Sequence, residues 1–140
     1  MKKSLTALFC VMVLVMQMAF ADGLFPSVNQ MFGEKVPSVA LILGREAQSD
    51  TTSDNVHTLV FTEFSVKDYE KLSVGLAAQN CNLNSSQPHS NSAVAVVMSG
   101  NNRITITYDY PNAKLTVAYP TNVRLDTEIV KPTKGTQGIL

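Results

Sequence analysis

The sequence predicts an α+β fold, a single helix packed on a four- to five-stranded antiparallel sheet in the order strand, helix, meander, cystatin-like in outline. Three observations carry it. His57 to Phe64 alternates with the period of a strand. Ser65 to Asn80 places apolar residues at helical spacing behind a capping signal. From Asn82 to Tyr119, short alternating runs are separated by turn formers, the pattern of successive hairpins.

The chain opens with Lys2 and Lys3, an apolar run from Leu5 to Met16 broken only by Thr6, and the small-x-small triplet Ala19-Phe20-Ala21. This is the pattern of an export signal at residues 1–21, with cleavage near Ala21. The run is shorter than the roughly 20 apolar residues that span a bilayer, so no stable membrane anchor is expected after cleavage. Cys10 follows the bulky Leu8 and Phe9 inside the apolar run and is not expected to carry a lipid. The expected location is secreted or cell-envelope, extracellular or periplasmic, with a bacterial type of signal.

Cleavage would leave 119 of the 140 residues, enough for one domain with a modest core. Without Lys2 and Lys3, nine basic residues face eleven acidic ones, a formal charge near −2. So weak and scattered a charge offers no electrostatic footprint for nucleic acid or an anionic membrane. Cys81 becomes the lone thiol, which excludes an internal disulfide.

Residues 22–55 read as an irregular leader with one short helix or strand. Gly23, Pro26, Gly33, Pro37 and Gly44 punctuate Phe25, Val28, Phe32, Val36 and the run Val39 to Leu43. Gln48 to Asn55 is polar and aperiodic, which predicts a solvated loop. It lacks the Asp-x-Asp-x-Asp-Gly spacing and closing glutamate of a calcium loop.

Residues 56–120 form the predicted α+β domain. On its first strand Leu59 and Phe61 share one face, with Thr58, Val60 and Thr62 on the other. Ser65 and Asp68 then make a capping box, and Phe64 and Tyr69 take the positions of a hydrophobic staple. Tyr69, Leu72 and Leu76 mark the inner stripe, Lys67, Glu70 and Lys71 the outer side, and Asn80 the helix end. Asn82 to Gln87 is a weak strand, Pro88 to Ser92 a turn, and Ala93 to Ser99 a strongly apolar strand. Gly100-Asn101-Asn102 suits a tight hairpin. Arg103 to Tyr110 alternates Ile104, Ile106, Tyr108 and Tyr110 against Thr105, Thr107 and Asp109. Pro111 to Lys114 turns the chain into a last strand carrying Leu115, Val117 and Tyr119. Residues 121–140 read as an extended or disordered tail. A further strand is compatible with Val123, Leu125, Ile129 and Val130, and the composition beyond Lys131 favours disorder.

Several of these motifs resemble uncharacterised secreted or surface proteins of Firmicutes, especially gut clostridia, which have no assigned activity. The carrying residues are Val36-Pro37-Ser38, Leu43-Gly44-Arg45-Glu46, Phe64-Ser65-Val66-Lys67-Asp68-Tyr69 with Leu76, Asn80-Cys81-Asn82-Leu83, Ile106-Thr107-Tyr108-Asp109-Tyr110 and Ala118-Tyr119-Pro120. The resemblance covers most of residues 36–120. It implies a lineage and a compartment, and it transfers no catalytic residue.

The candidate sites are few. Cys81 with His57 or His89 and an acid such as Asp109 is the one constellation that could build a thiol hydrolase, which needs a thiolate activated by an imidazole. No glycine-lined turn adjoins Cys81, so buried packing is the expected role. His57 and His89 stand apart from other ligand residues. A zinc site drawing on both with Asp50 or Asp54 would need them brought together, so no metal or cofactor is expected. Tyr108, Tyr110 and Tyr119 lie on one face of neighbouring strands and are the candidate binding residues, an aromatic platform for a glycan or peptide. Their competing role is to cap the core against the helix with hydroxyls in water. Asn84-Ser85-Ser86 matches a glycosylation acceptor, without consequence behind a bacterial-type signal. The expected function is that of a non-catalytic exported module binding an unknown protein, peptide or cell-envelope polymer through the free sheet edge and the concave, helix-free face. The alternative is a hydrolase using Cys81.

Overall fold

The computed structural model describes residues 33–140. The export signal expected at residues 1–21, with Cys10 and Ala21, lies outside the described residues, as does the leader up to residue 32. The described chain is α+β and mostly strand: one six-stranded antiparallel sheet, a two-stranded parallel pair and two helices. The expected single helix on four to five strands is thereby corrected: the added strands come from segments whose pairing is non-local or polar, and the second helix from the apolar run 39–43 of the leader.

The leader supplies three elements. Strand β1 (Glu34–Val36) precedes a short helix α1 (Val39–Leu43), and β2 (Ser49–Ser53) follows. Ser38 caps α1, its Oγ accepting from the Leu41 N–H at 3.3 Å. Gly44 ends it at φ 72°, a left-handed conformation that costs glycine nothing. The expected solvated loop at 48–55 is instead a hairpin, β2 pairing with β3 (Val56–Phe61). Asp54 and Asn55 both have positive φ, as a two-residue type I′ turn requires. The polar Ser49–Ser53 run forms a strand because it lies at the sheet edge and needs only one neighbour.

Helix α2 (Val66–Ala78) carries the full capping box: the Asp68 N–H donates to Ser65 Oγ at 3.2 Å and the Ser65 N–H to Asp68 Oδ2 at 3.0 Å. Asn80, at φ 62°, makes the left-handed exit. Four hairpin-linked strands follow, β4 (Asn82–Pro88), β5 (Ser92–Ser99), β6 (Asn102–Asp109) and β7 (Lys114–Pro120), and the sheet order is β2-β3-β7-β6-β5-β4. Because every pairing is antiparallel, β3 and β4 run the same way and need a crossover rather than a hairpin. Helix α2 is that crossover.

Alternation sorts the sheet into two faces. The inner face presents Leu59, Phe61, Val97, Ile104, Ile106, Leu115, Val117 and Tyr119, all buried, to Leu72 and Leu76 of α2. Val36, Val39, Ile42 and Leu43 of the leader join the same core. Gly75 allows α1 to approach α2, since a Cβ at that position would collide with Ile42 Cγ2. Arg45 ties the leader to the start of α2, donating to the Thr62 carbonyl at 2.8 Å and to Asp68 Oδ2 at 3.2 Å, with its guanidinium 5.9 Å from the Phe61 ring.

The tail is ordered in part. Strand β8 (Val123–Leu125) pairs in parallel with β1, and the Asp126 N–H donates to the Val36 carbonyl at 2.9 Å. Beyond Lys131, where composition favours disorder, Ile139 and Leu140 pack against the core because two aliphatic side chains find apolar surface beside α2.

Candidate binding cleft

The three candidate tyrosines separate into two environments. Tyr108 and Tyr110 meet edge-on, ring centres 5.3 Å apart and planes at 80°, and Tyr108 also lies 5.3 Å from the Phe64 ring. Tyr119 does not join them. It lies four residues beyond Leu115, the β7 partner of Tyr108, or roughly 13 Å along the strand. There its ring is buried, and its hydroxyl accepts from the Val39 N–H at 2.9 Å and donates to the Pro37 carbonyl at 3.0 Å. Burial pushes that hydroxyl far above its ordinary pKa, so Tyr119 is a neutral internal strut.

Tyr108 and Tyr110 border a cleft of about 230 Å³ on the helix side of the sheet, not on the helix-free face. Phe64, Tyr69 and Leu72 form one wall, and Ala93, Ala95 and Ile106 form the floor. The floor is low because β5 turns its small residues inward. Ala93 pairs with Tyr108 and Ala95 with Ile106, while Val94 and Val96 point to the opposite face. Ser86 and Pro88 of β4 continue this shallow floor to the sheet edge. A second, more open recess of about 310 Å³ shares Phe64, Tyr69, Tyr108 and Tyr110 and runs past Ser65 and Val66.

The rim is held by backbone. The Phe64 N–H donates to the Ala113 carbonyl at 2.8 Å and the Tyr110 N–H to the Asn91 carbonyl at 3.0 Å, so the aromatic wall is anchored on two turns. Tyr108 donates from its hydroxyl to the Phe64 carbonyl at 3.4 Å. Tyr69 and Tyr110 remain 43% and 46% exposed, which leaves two rings available to an incoming group. No charged side chain lines either recess. Such a lining selects apolar or ring-shaped groups, with tyrosine and serine hydroxyls as its polar contacts. The alternation of β6 reveals Tyr108 and Tyr110. The floor has a sequence signal too, alanine at alternate positions of a strand otherwise rich in valine, but it means a cleft only once the inward face of β5 is known.

The hydrolase constellation is spread over both ends of the sheet. Cys81 is buried and bonded to Ser99, and burial pushes its thiol above the ordinary value, which disfavours the nucleophilic thiolate. Ser99 pairs with Asn102 at the start of β6, whereas Asp109 lies at its far end, roughly 23 Å along the strand. His89 sits with Asp109, in the turn whose Ser92 pairs with that aspartate. His57 bonds Asp50 across the β2–β3 hairpin through Nε2, and its ring lies 6.3 Å from that of Tyr119. Among the described residues no three histidine, cysteine, aspartate or glutamate side chains come close enough to hold a metal ion.

The helix-free face carries rows such as Thr58–Ala118–Thr105–Val96 and Val60–Thr116–Thr107–Val94, and a recess of about 390 Å³ opens on it between Val56, Arg103, Thr105, Ala118 and Pro120. Strand β4, at the edge opposite β2, is exposed along its whole length and interrupted by a bulge near Asn84. Among the described residues no helix is long and apolar enough to cross a membrane. No family model matches the chain, and neither a curated protein nor a solved structure shows significant similarity to it.

Proposed function

We propose that the chain is an exported, non-catalytic binding module of the lineage of secreted or surface proteins its motifs resemble, and that it engages a protein, peptide or envelope polymer through the aromatic cleft. The observation that carries this reading is the uncharged cleft with two half-exposed tyrosines on a floor of alanines. A core built only for stability would fill such a space, because protein interiors pack to near-crystalline density. The same feature favours this site over the recess of about 390 Å³ on the helix-free face, whose lining includes Arg103 and four asparagines. The hydrolase reading has weaker support, since Cys81 is buried with its thiol held protonated.

The test compares capture of envelope components by the exported protein with capture by two variants. Tyr69→Ala/Tyr110→Ala strips the wall, and Ala95→Leu fills the floor. Both are expected to lower binding at least tenfold while circular dichroism stays unchanged. Equal capture by wild type and both variants would remove the cleft from consideration. N-terminal sequencing of the protein recovered from culture medium or periplasm is expected to begin at Asp22. An uncleaved product retained in the cell would overturn export.

A further inference from the structure

The cleft has a neighbour supplied by the chain itself. Leu140 lines it, beside Leu72 of α2. The Leu140 N–H donates to Ser73 Oγ at 2.8 Å and the Ile139 N–H to the Ser73 carbonyl at 3.4 Å. Gly138 makes this approach possible, because a Cβ there would collide with Ser73 Oγ and stand 2.9 Å from Ser73 Cβ. Ser73 is itself buried, an inward-facing polar residue on the helix stripe between Leu72 and Leu76.

What precedes this contact is unlike a packed element. Residues 127–135 are exposed throughout and contain neither helix nor strand, with a local turn in which the Thr136 N–H donates to the Thr133 carbonyl at 3.0 Å. A Gly-Ile-Leu segment therefore follows an exposed tether, held by one serine and by apolar contact.

We propose that the strip of α2 at Leu72 and Ser73, where it adjoins the cleft, recognises an extended aliphatic peptide, and that Gly138-Ile139-Leu140 is its resident occupant, a strap walling one side of the cleft that an incoming peptide of the same character displaces. The inference builds on the cleft reading and narrows its ligand class. Ser73 offers two acceptors, a hydroxyl and a carbonyl, to successive peptide N–H groups, and the surface beside Leu72 takes the aliphatic side chain. A tether of this length holds its own segment at an effective concentration in the millimolar range. An external peptide must compete with that, so the free protein binds weakly and a protein with its strap released binds well.

The test uses an acetylated and amidated peptide copying residues 133–140, added to the full chain and followed by amide peak shifts at Tyr69, Leu72, Ser73 and Ala95. Gly138→Val forces the strap off Ser73 and, apart from removing Leu140, leaves the cleft lining in place. It is expected to bind the peptide at least tenfold more tightly than wild type, and a peptide with aspartate in place of its last leucine is expected not to bind. Should Gly138→Val fail to fold, Ile139→Ser/Leu140→Ser releases the strap by removing its apolar contacts and carries the same expectation. Equal affinity in wild type and the released variants, or shifts confined to residues away from Tyr69 and Ala95, would overturn the strap. Loss of envelope capture in Tyr69→Ala/Tyr110→Ala with no change in Gly138→Val would overturn the strap alone and leave the cleft standing.

Discussion

Tyr119 on β7 and Tyr110 just past the end of the adjoining β6 are the same residue type, yet one is sealed and the other half exposed. What separates them is the leader. At the Tyr119 end, Pro37 and Val39 supply backbone partners for the hydroxyl, and α1 closes over the sheet. At the Tyr110 end, among the described residues, no leader residue lines the cleft; of the tail only Leu140 reaches it, and Ala93 and Ala95 keep the floor low. A ring on an inward-facing position becomes core or contact surface according to what the rest of the chain lays across it.

The comparison can be broken most sharply by truncating each ring. Tyr119→Ala should cost about 3–5 kcal/mol, from lost burial together with an orphaned N–H and carbonyl. Tyr110→Ala should cost about 1 kcal/mol or less, as for a surface position. Urea denaturation measures both, and similar losses at the two sites would refute the contrast. The sealed end depends next on the contact between α1 and α2. Gly75→Val should cost about 1–3 kcal/mol by driving a side chain into Ile42, and Ile42→Ala in the same chain should relieve part of that cost. Additive losses in the double mutant would show that the two positions do not meet.

A more gradual effect is alkaline. Burial favours the neutral forms of Cys81 and Tyr119, so both groups titrate above their ordinary values of 9.0 and 10.0 in the folded protein. The unfolded chain releases those protons first. Stability should therefore be complete below pH 9 and decline as pH rises through the ordinary values toward the folded ones, by up to about 1.4 kcal/mol per pH unit per group. Cys81→Ala should delay the onset and Tyr119→Phe should flatten the later decline. Denaturation midpoints that stay level between pH 8 and pH 11 would refute the burial of both groups.

Local signals were readable in the sequence and non-local ones were not. Ser65 with Asp68 marks the start of α2, and the alternation of Ile104, Ile106 and Tyr108 marks β6, because both patterns are complete within a few residues. Strand β2 escapes the same reading because Ser49 to Ser53 has no apolar face. Its only local signal is the pair Asp54-Asn55, suited to a hairpin turn. The β1–β8 pair joins segments nearly ninety residues apart and leaves no periodic trace. Of the site, Tyr108 and Tyr110 were legible together, but the different fate of Tyr119 depends on where Pro37 and Val39 come to rest.

The sheet order carries a consequence for how the chain acquires its fold. β3 is made early but finds its central partner only in β7, so a chain growing from its N-terminus carries β3 and β6 as two open edges until Lys114 to Pro120 has emerged. The β4-to-β7 meander can zip through short loops, whereas joining β3 closes a loop of more than fifty residues and should form the slow step. If the chain is exported as proposed, that delay has a use: the chain stays incompletely folded, and so threadable, until most of it has been synthesised.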